Sequence, residues 1–160
     1  MTISSFYAHR NGVDQPGIVN DLYAPVLMTT LKFDTTGGWD FTYGVWRPGR
    51  AGIVHFSAQL WIRGVAPNGF TNLAKFVKNG PLPITGDVPG WNDVFTGATG
   101  SPGNGYPWIQ INGVDQCDAQ DYYGLVVYDD VNGVGEQSID GNMAHTFWSC
   151  LFFHDQESEV

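Results

Sequence analysis

The chain has 160 residues, enough for one domain that buries a real core without disulfides or metals to hold it. Seven Lys and Arg stand against sixteen Asp and Glu, and the formal charge of −9 has the wrong sign for neutralising phosphates, which excludes nucleic acid as the principal partner. Charged residues are 14% where about 25% is usual, aromatics are another 14%, and 21 Gly with 9 Pro leave few windows long enough for a helix, so the chain reads as all-β.

The segment Met1-Thr2-Ile3-Ser4-Ser5 has neither the basic nor the apolar region of a secretion signal, and no run approaches the roughly 18 apolar residues of a membrane span. The expectation is a protein made in the cytoplasm without a signal peptide and without membrane insertion. Residues 1–27 are expected to form a short N-terminal arm, and the acidic tail at 155–160 a solvated end, flanking a single domain over 1–160. Cys117 and Cys150 are the only cysteines, and no Asn begins an Asn-X-Ser/Thr acceptor, so both thiols are expected to be reduced and buried.

In chain order, Thr30 to Asp34 alternates weakly and predicts a strand, and after the turn Thr35-Thr36-Gly37-Gly38 a second is expected from Trp39 to Val45. From Ile53 to Arg63 the alternation is clear: Val54, Phe56, Ala58, Leu60 and Ile62 face a core, and His55, Ser57, Gln59 and Arg63 face away. Thr71 to Lys78 is expected to run back as the second strand of an antiparallel hairpin, ending at the turn Asn79-Gly80. The stretch from Pro81 to Tyr106, rich in Pro, Gly, Asn and Thr with isolated aromatics, predicts a long functional loop. Further strands are expected at Pro107 to Val114, Tyr122 to Tyr128 and Met143 to His154. The density of Phe147, Trp148, Leu151, Phe152 and Phe153 in the last implies burial on both faces, with a second subunit covering the outer one.

No arrangement of catalytic side chains stands out. His9, His55, His145 and His154 lack zinc-ligand spacing, the Gly-rich run from Gly97 to Gly105 lacks the Lys-Ser/Thr of a phosphate loop, and no Gly-x-Ser-x-Gly elbow occurs. No cofactor and no resident metal are expected. The cluster Asp115, Asp118, Asp121, Asp129 and Asp130 offers hard oxygen ligands of the kind calcium takes, without the spacing of an EF-hand loop, and an acidic turn is the favoured reading. Aromatic rings set among Asn and Asp are what a sugar needs, a flat face for its C–H surface and polar groups for its hydroxyls. On that ground Trp91, Asn92, Asp93, Trp39, Tyr106 and Trp108 are the candidate ligand-contact residues.

Gly52-Ile53-Val54-His55-Phe56-Ser57-Ala58-Gln59-Leu60, opened by Trp46-Arg47-Pro48-Gly49-Arg50-Ala51 and followed by Lys78-Asn79-Gly80, resembles the signature of the complement C1q-like and tumour-necrosis-factor-like jelly rolls. Ala119-Gln120-Asp121-Tyr122-Tyr123-Gly124-Leu125-Val126-Val127 is similar to that family's Gly-Asp-aromatic strand, with Gln120 where Gly is usual. Trp148-Ser149-Cys150-Leu151 is similar to its closing strand, with Cys150 in place of Gly. The resemblance implies a two-sheet antiparallel jelly-roll sandwich of about ten strands that assembles as a homotrimer. It implies too that the last strand lies near the threefold axis, with Phe147, Trp148, Leu151 and Phe153 at the interface. The function expected is that of a non-enzymatic, receptor-binding head on a virion or phage-like particle, contacting cell-surface polysaccharide and, in its assembly, other particle proteins. A structural capsid decoration or spike assembly protein is the alternative.

Overall fold

The computed structural model describes residues 1–18, 22–63, 70–84, 92–101, 108–130 and 137–155. Thirteen strands and no helix occur among them. In order these are β1 (Thr2–His9), β2 (Gln15–Ile18), β3 (Tyr23–Pro25), β4 (Thr30–Asp34), β5 (Trp39–Asp40), β6 (Val45–Trp46), β7 (Gly52–Arg63), β8 (Phe70–Lys78), β9 (Asn92–Ser101), β10 (Trp108–Cys117), β11 (Tyr123–Asp130), β12 (Gln137–Ile139) and β13 (Phe147–His154).

Two antiparallel sheets face each other. In the first, β13 lies between β1 and β7, β4 flanks β1, and β7 is paired along one edge by β13 and then β12, and along the other by β10. In the second, β8 lies between β9 and β11, while β6 and β3 take successive stretches of the other edge of β11. One continuous core fills the space between. Its centre is Phe56, stacked on Phe76 with ring centroids 4.9 Å apart, with the Tyr123 ring edge-on at 4.8 Å. Offset and edge-on pairs of this kind suit the aromatic quadrupole and add about 0.5–1.5 kcal/mol each beyond the area they bury.

The period-two pattern of β7 is realised residue by residue, with Val54, Phe56, Ala58, Leu60 and Ile62 fully inside and the intervening side chains outward. Asn79 takes the left-handed φ of +56° that its turn requires. Other expectations are corrected. Strands β7 and β8 are not hydrogen-bonded to each other. They belong to opposite sheets, because each finds its partners far along the chain, β7 in β10 and β13, β8 in β11 and β9. Nor is 1–27 an arm, since β1 sits inside the first sheet with Phe6 and Ala8 fully buried. The long loop expected from Pro81 to Tyr106 is interrupted by ten residues of strand, β9, on an edge of the second sheet. The strand expected from Trp39 to Val45 is split by a turn, where the Asp40 carboxylate accepts the Thr42 backbone N–H at 2.9 Å and Gly44 takes a φ of +66°.

Candidate functional site

The outer face of the first sheet carries the most distinctive surface. Its cross-strand rows follow from the register. Ile3, Phe153 and Ile53 lie side by side at one end, and Leu151, His55 and Val114 follow in the next row, with Ser5 beyond Leu151. Ile3 is 62% exposed, Val114 60%, Ile53 49% and Leu151 45%, on the outward side of strands whose alternate residues are buried. Large aliphatic groups so grouped on one face are seldom left to water by a monomer. Farther along, β7 and β10 turn polar through Ser57 and Asn112, then Gln59 and Gln110, whose side chains hydrogen-bond at 3.2 Å, while Tyr7, Phe33 and Phe147 continue an aromatic strip across β1, β4 and β13.

At the far end, Trp61 of β7 is directly opposite Trp108 of β10, both on the outward side. Beyond Trp61 the face drops into an open cleft. One lobe, of about 760 Å³, lies between the turn at 10–14 and the loop at 140–143. A second, of about 420 Å³, lies between Trp61 and His145, and both lobes are lined by Arg63 and Asp140. The Arg63 guanidinium bridges two carboxylates, Asp14 at 3.0 Å and Asp140 at 2.9 Å. Burial alone would raise the Asp140 carboxyl, but the Asn142 backbone N–H at 2.7 Å, His145 Nδ1 at 3.1 Å and Arg63 outweigh it and hold Asp140 below the usual carboxylate range. The rim is fixed from both sides, since Gly12 donates its N–H to the Gly141 carbonyl at 2.7 Å and Gly141 donates its own to Asp14 at 2.8 Å. Gly141 is required there, because a Cβ would sit 2.2 Å from the Val13 backbone. Behind the turn, the buried Arg10 side chain donates to the carbonyls of Val13 and Leu27 and to Gln15.

The sequence-selected ligand residues do not converge. Trp91 and Tyr106 lie outside the described residues. Trp39 is half-buried and packs one side of its ring against the core, 5.3 Å from Phe6 and 5.0 Å from Trp148 between ring centroids, away from the other candidates. Asn92 and Asp93 are exposed at the start of β9, and Asp93 pairs at 2.6 Å with Lys75, which also lies over the Tyr23 ring. Only Trp108, 56% exposed, joins the face just described. Trp61, Arg63, Asp14, Asp140 and His145 are not among the sequence-selected residues, since Arg63 reads as an ordinary outward position in the alternation of β7 and no local spacing joins the others to it.

The interface residues separate likewise. Trp148 points inward, with no exposed surface, into Phe6, Phe56 and Phe76, and is a core residue. Phe147, Leu151 and Phe153 are outward, Phe147 stacked on Tyr7 at 5.4 Å. Within a single chain β13 therefore alternates, with Trp148, Cys150 and Phe152 inside.

The acidic cluster is organised around a cation of the chain itself. Lys78 Nζ lies 2.8 Å from Asp121 and 3.1 Å from Asp115, and the Tyr123 hydroxyl donates to Asp115 at 2.7 Å. Among the described residues no group of three or more His, Cys, Asp and Glu is placed to hold a metal ion. Ser4 Oγ and His154 Nε2 are 3.0 Å apart, but both side chains are buried, with the imidazole beside Phe152. Cys117 and Cys150 are free, buried thiols, and burial pushes that of Cys117 up to about 11.

No family model matches the chain, and no curated protein matches it. Solved structures do. Murine APRIL at pH 8.5 is similar with a TM-score of 0.66 and 12% identity, over 95% of this chain and 100% of that one. Eiger TNF from S. frugiperda is similar with a TM-score of 0.63 and 13% identity, over 99% of this chain and 96% of that one. At such identities the likeness concerns the fold, and the fold is a tumour-necrosis-factor-like jelly roll.

Proposed function

We propose that the chain is the non-enzymatic binding head of a homotrimer, and that its subunits meet through the aliphatic end of the first sheet's outer face. The observation that carries this reading is the cross-strand block of exposed Ile3, Ile53, Leu151 and Val114 with half-buried Phe153 among them. Covering such groups removes apolar area from water at about 25 cal/mol per Å², and a closed threefold ring covers all three copies at once. The ligand proposed is a cell-surface polysaccharide, and the setting the terminal spike or fibre of a phage-like particle. Three weak sites on one rigid head then act together, because later contacts are intramolecular.

Light scattering on the purified chain tests the assembly, with a trimer mass expected at micromolar concentration. Leu151→Asp, which places a charge in the covered block, is expected to give monomers. A monomeric wild type would overturn the reading. Incubation with immobilised polysaccharide tests the rest: retention without release of reducing sugar is expected, and sugar release would make the protein an enzyme instead.

A further inference from the structure

We infer that the cleft lined by Trp61, Arg63, Asp14, Asp140 and His145 is a saccharide-binding site selective for neutral over acidic sugars. The inference rests on the polysaccharide-binding head proposed above, and it moves the contact surface from the region around Trp91 to the far end of the first sheet.

The chemistry of the walls favours a polyol. A sugar hydroxyl both donates and accepts, and the cleft offers acceptors in Asp14 and Asp140 beside donors in Arg63 and Asn142. A sugar ring also presents a C–H face; Trp61, its ring 3.9 Å from that of His145 between centroids, lines the smaller lobe, and Trp108, opposite it across the strands and 56% exposed, supplies open indole surface beside it. The larger lobe alone, about 760 Å³, lies within the usual range of a small-molecule pocket and has room for a sugar ring.

The polar groups are held before any ligand arrives. Arg63 cannot swing away without leaving two carboxylates, and Asp140 is fixed by the Asn142 N–H and His145 as well. Rigid partners spare a ligand the entropy of ordering them, which is the main obstacle for weak polar binding. Charge sets the selectivity. Two carboxylates face the one guanidinium, on a chain of formal charge −9, which disfavours a uronate or sialate relative to a neutral hexose or N-acetylhexosamine.

The place is compatible with trimerisation. Eight residues of β7 separate Ile53 in the aliphatic block from Trp61 at the cleft, roughly 27 Å at about 3.4 Å per residue. A threefold contact at the aliphatic block leaves room for the cleft to stay open, and by symmetry the three clefts then lie at the same end of the trimer.

The test uses the full chain on immobilised neutral hexose and N-acetylhexosamine oligosaccharides and on a uronate oligosaccharide of equal length, with light scattering and thermal melting recorded for every variant. Binding to a neutral oligosaccharide is expected, weaker by at least tenfold for the uronate. Asp14→Asn, on the exposed rim, and Trp61→Ala are each expected to lower the neutral affinity about tenfold at unchanged trimer mass. Should Trp61→Ala fail to fold, Asp14→Asn alone decides. Wild-type binding unaltered in Asp14→Asn and lost in Trp91→Ala would overturn the cleft and leave the binding head standing. Preference for the uronate would overturn it as well, and a folded trimer that retains no oligosaccharide would overturn both.

Discussion

Replacing Lys78 by Met removes the one ammonium that two carboxylates share. Asp121 is the more committed of the two, its carboxylate buried and bound by Lys78 at 2.8 Å, Asn79 Nδ2 at 2.6 Å and the Asp118 backbone N–H at 2.7 Å. Burial alone would raise its carboxyl, and these partners hold it below the usual carboxylate range. Burial likewise opposes the charge on Lys78, but Asp121 and Asp115 outweigh it and raise the ammonium above the ordinary lysine value. Breaking a buried pair from one side typically costs about 3–5 kcal/mol. The Lys78 side chain keeps 19% of its surface in water, and Asp121 keeps its other donors, so Lys78→Met is expected to cost about 2–4 kcal/mol. Urea unfolding at fixed protein concentration measures it. The pH dependence gives a second reading. A depressed carboxyl contributes stability at neutral pH that is lost as pH falls through the ordinary carboxylate range and below. Because part of that depression comes from Lys78, the wild type is expected to lose more than the variant there, and the gap between them to narrow on acidification. The raised ammonium acts in the opposite direction, its contribution fading only as pH climbs above the ordinary lysine value. A cost below about 1 kcal/mol, or a gap constant from pH 7 to pH 3, would refute the assignment of Lys78 as the shared partner.

Three further outcomes are expected. A Cβ on Gly113 would lie 2.2 Å from the Phe95 ring, which joins the edges of the two sheets, so Gly113→Ala should cost about 1–3 kcal/mol in urea unfolding, and a neutral result would show that Phe95 moves aside freely. Trp148→Ala is expected to cost about 3–5 kcal/mol because it empties the centre of the core, whereas Leu151→Asp should act on assembly; equal effects of the two on trimer mass with little loss of stability would contradict their opposite orientations. Cys117 and Cys150 should both react with a thiol reagent in denaturant without reductant, and neither should react in the native protein, since burial disfavours the thiolate of each; rapid native labelling would show that the first sheet opens.

The sequence by itself determined what depends on a residue's immediate neighbours. The alternation of β7 told which side chains enter the core, because on a pleated strand a hydrophobic pattern of period two admits one inward face. Asn79-Gly80 told where the chain turns, because few residues tolerate positive φ, and the excess of Gly and Pro ruled out helices for similar local reasons. It also exposed the apolar excess of β13, though not that Trp148 and Leu151 face opposite ways, since a dense apolar run conceals its own alternation. Tertiary structure decided the rest. Whether two successive strands pair or cross to opposite sheets is settled by partners many residues away, and β1, polar enough to pass for an arm, becomes a strand inside the sheet because β13 and β4 satisfy its backbone on both edges. The cleft is the extreme case. Gly141 and Asp14, which fix its rim, are 127 residues apart in sequence, and Trp61 and Trp108 become neighbours only through the pairing of β7 with β10. No local pattern marks residues that fulfil their role by meeting one another, so a site assembled from four separate segments becomes visible only once the sheet has brought them together.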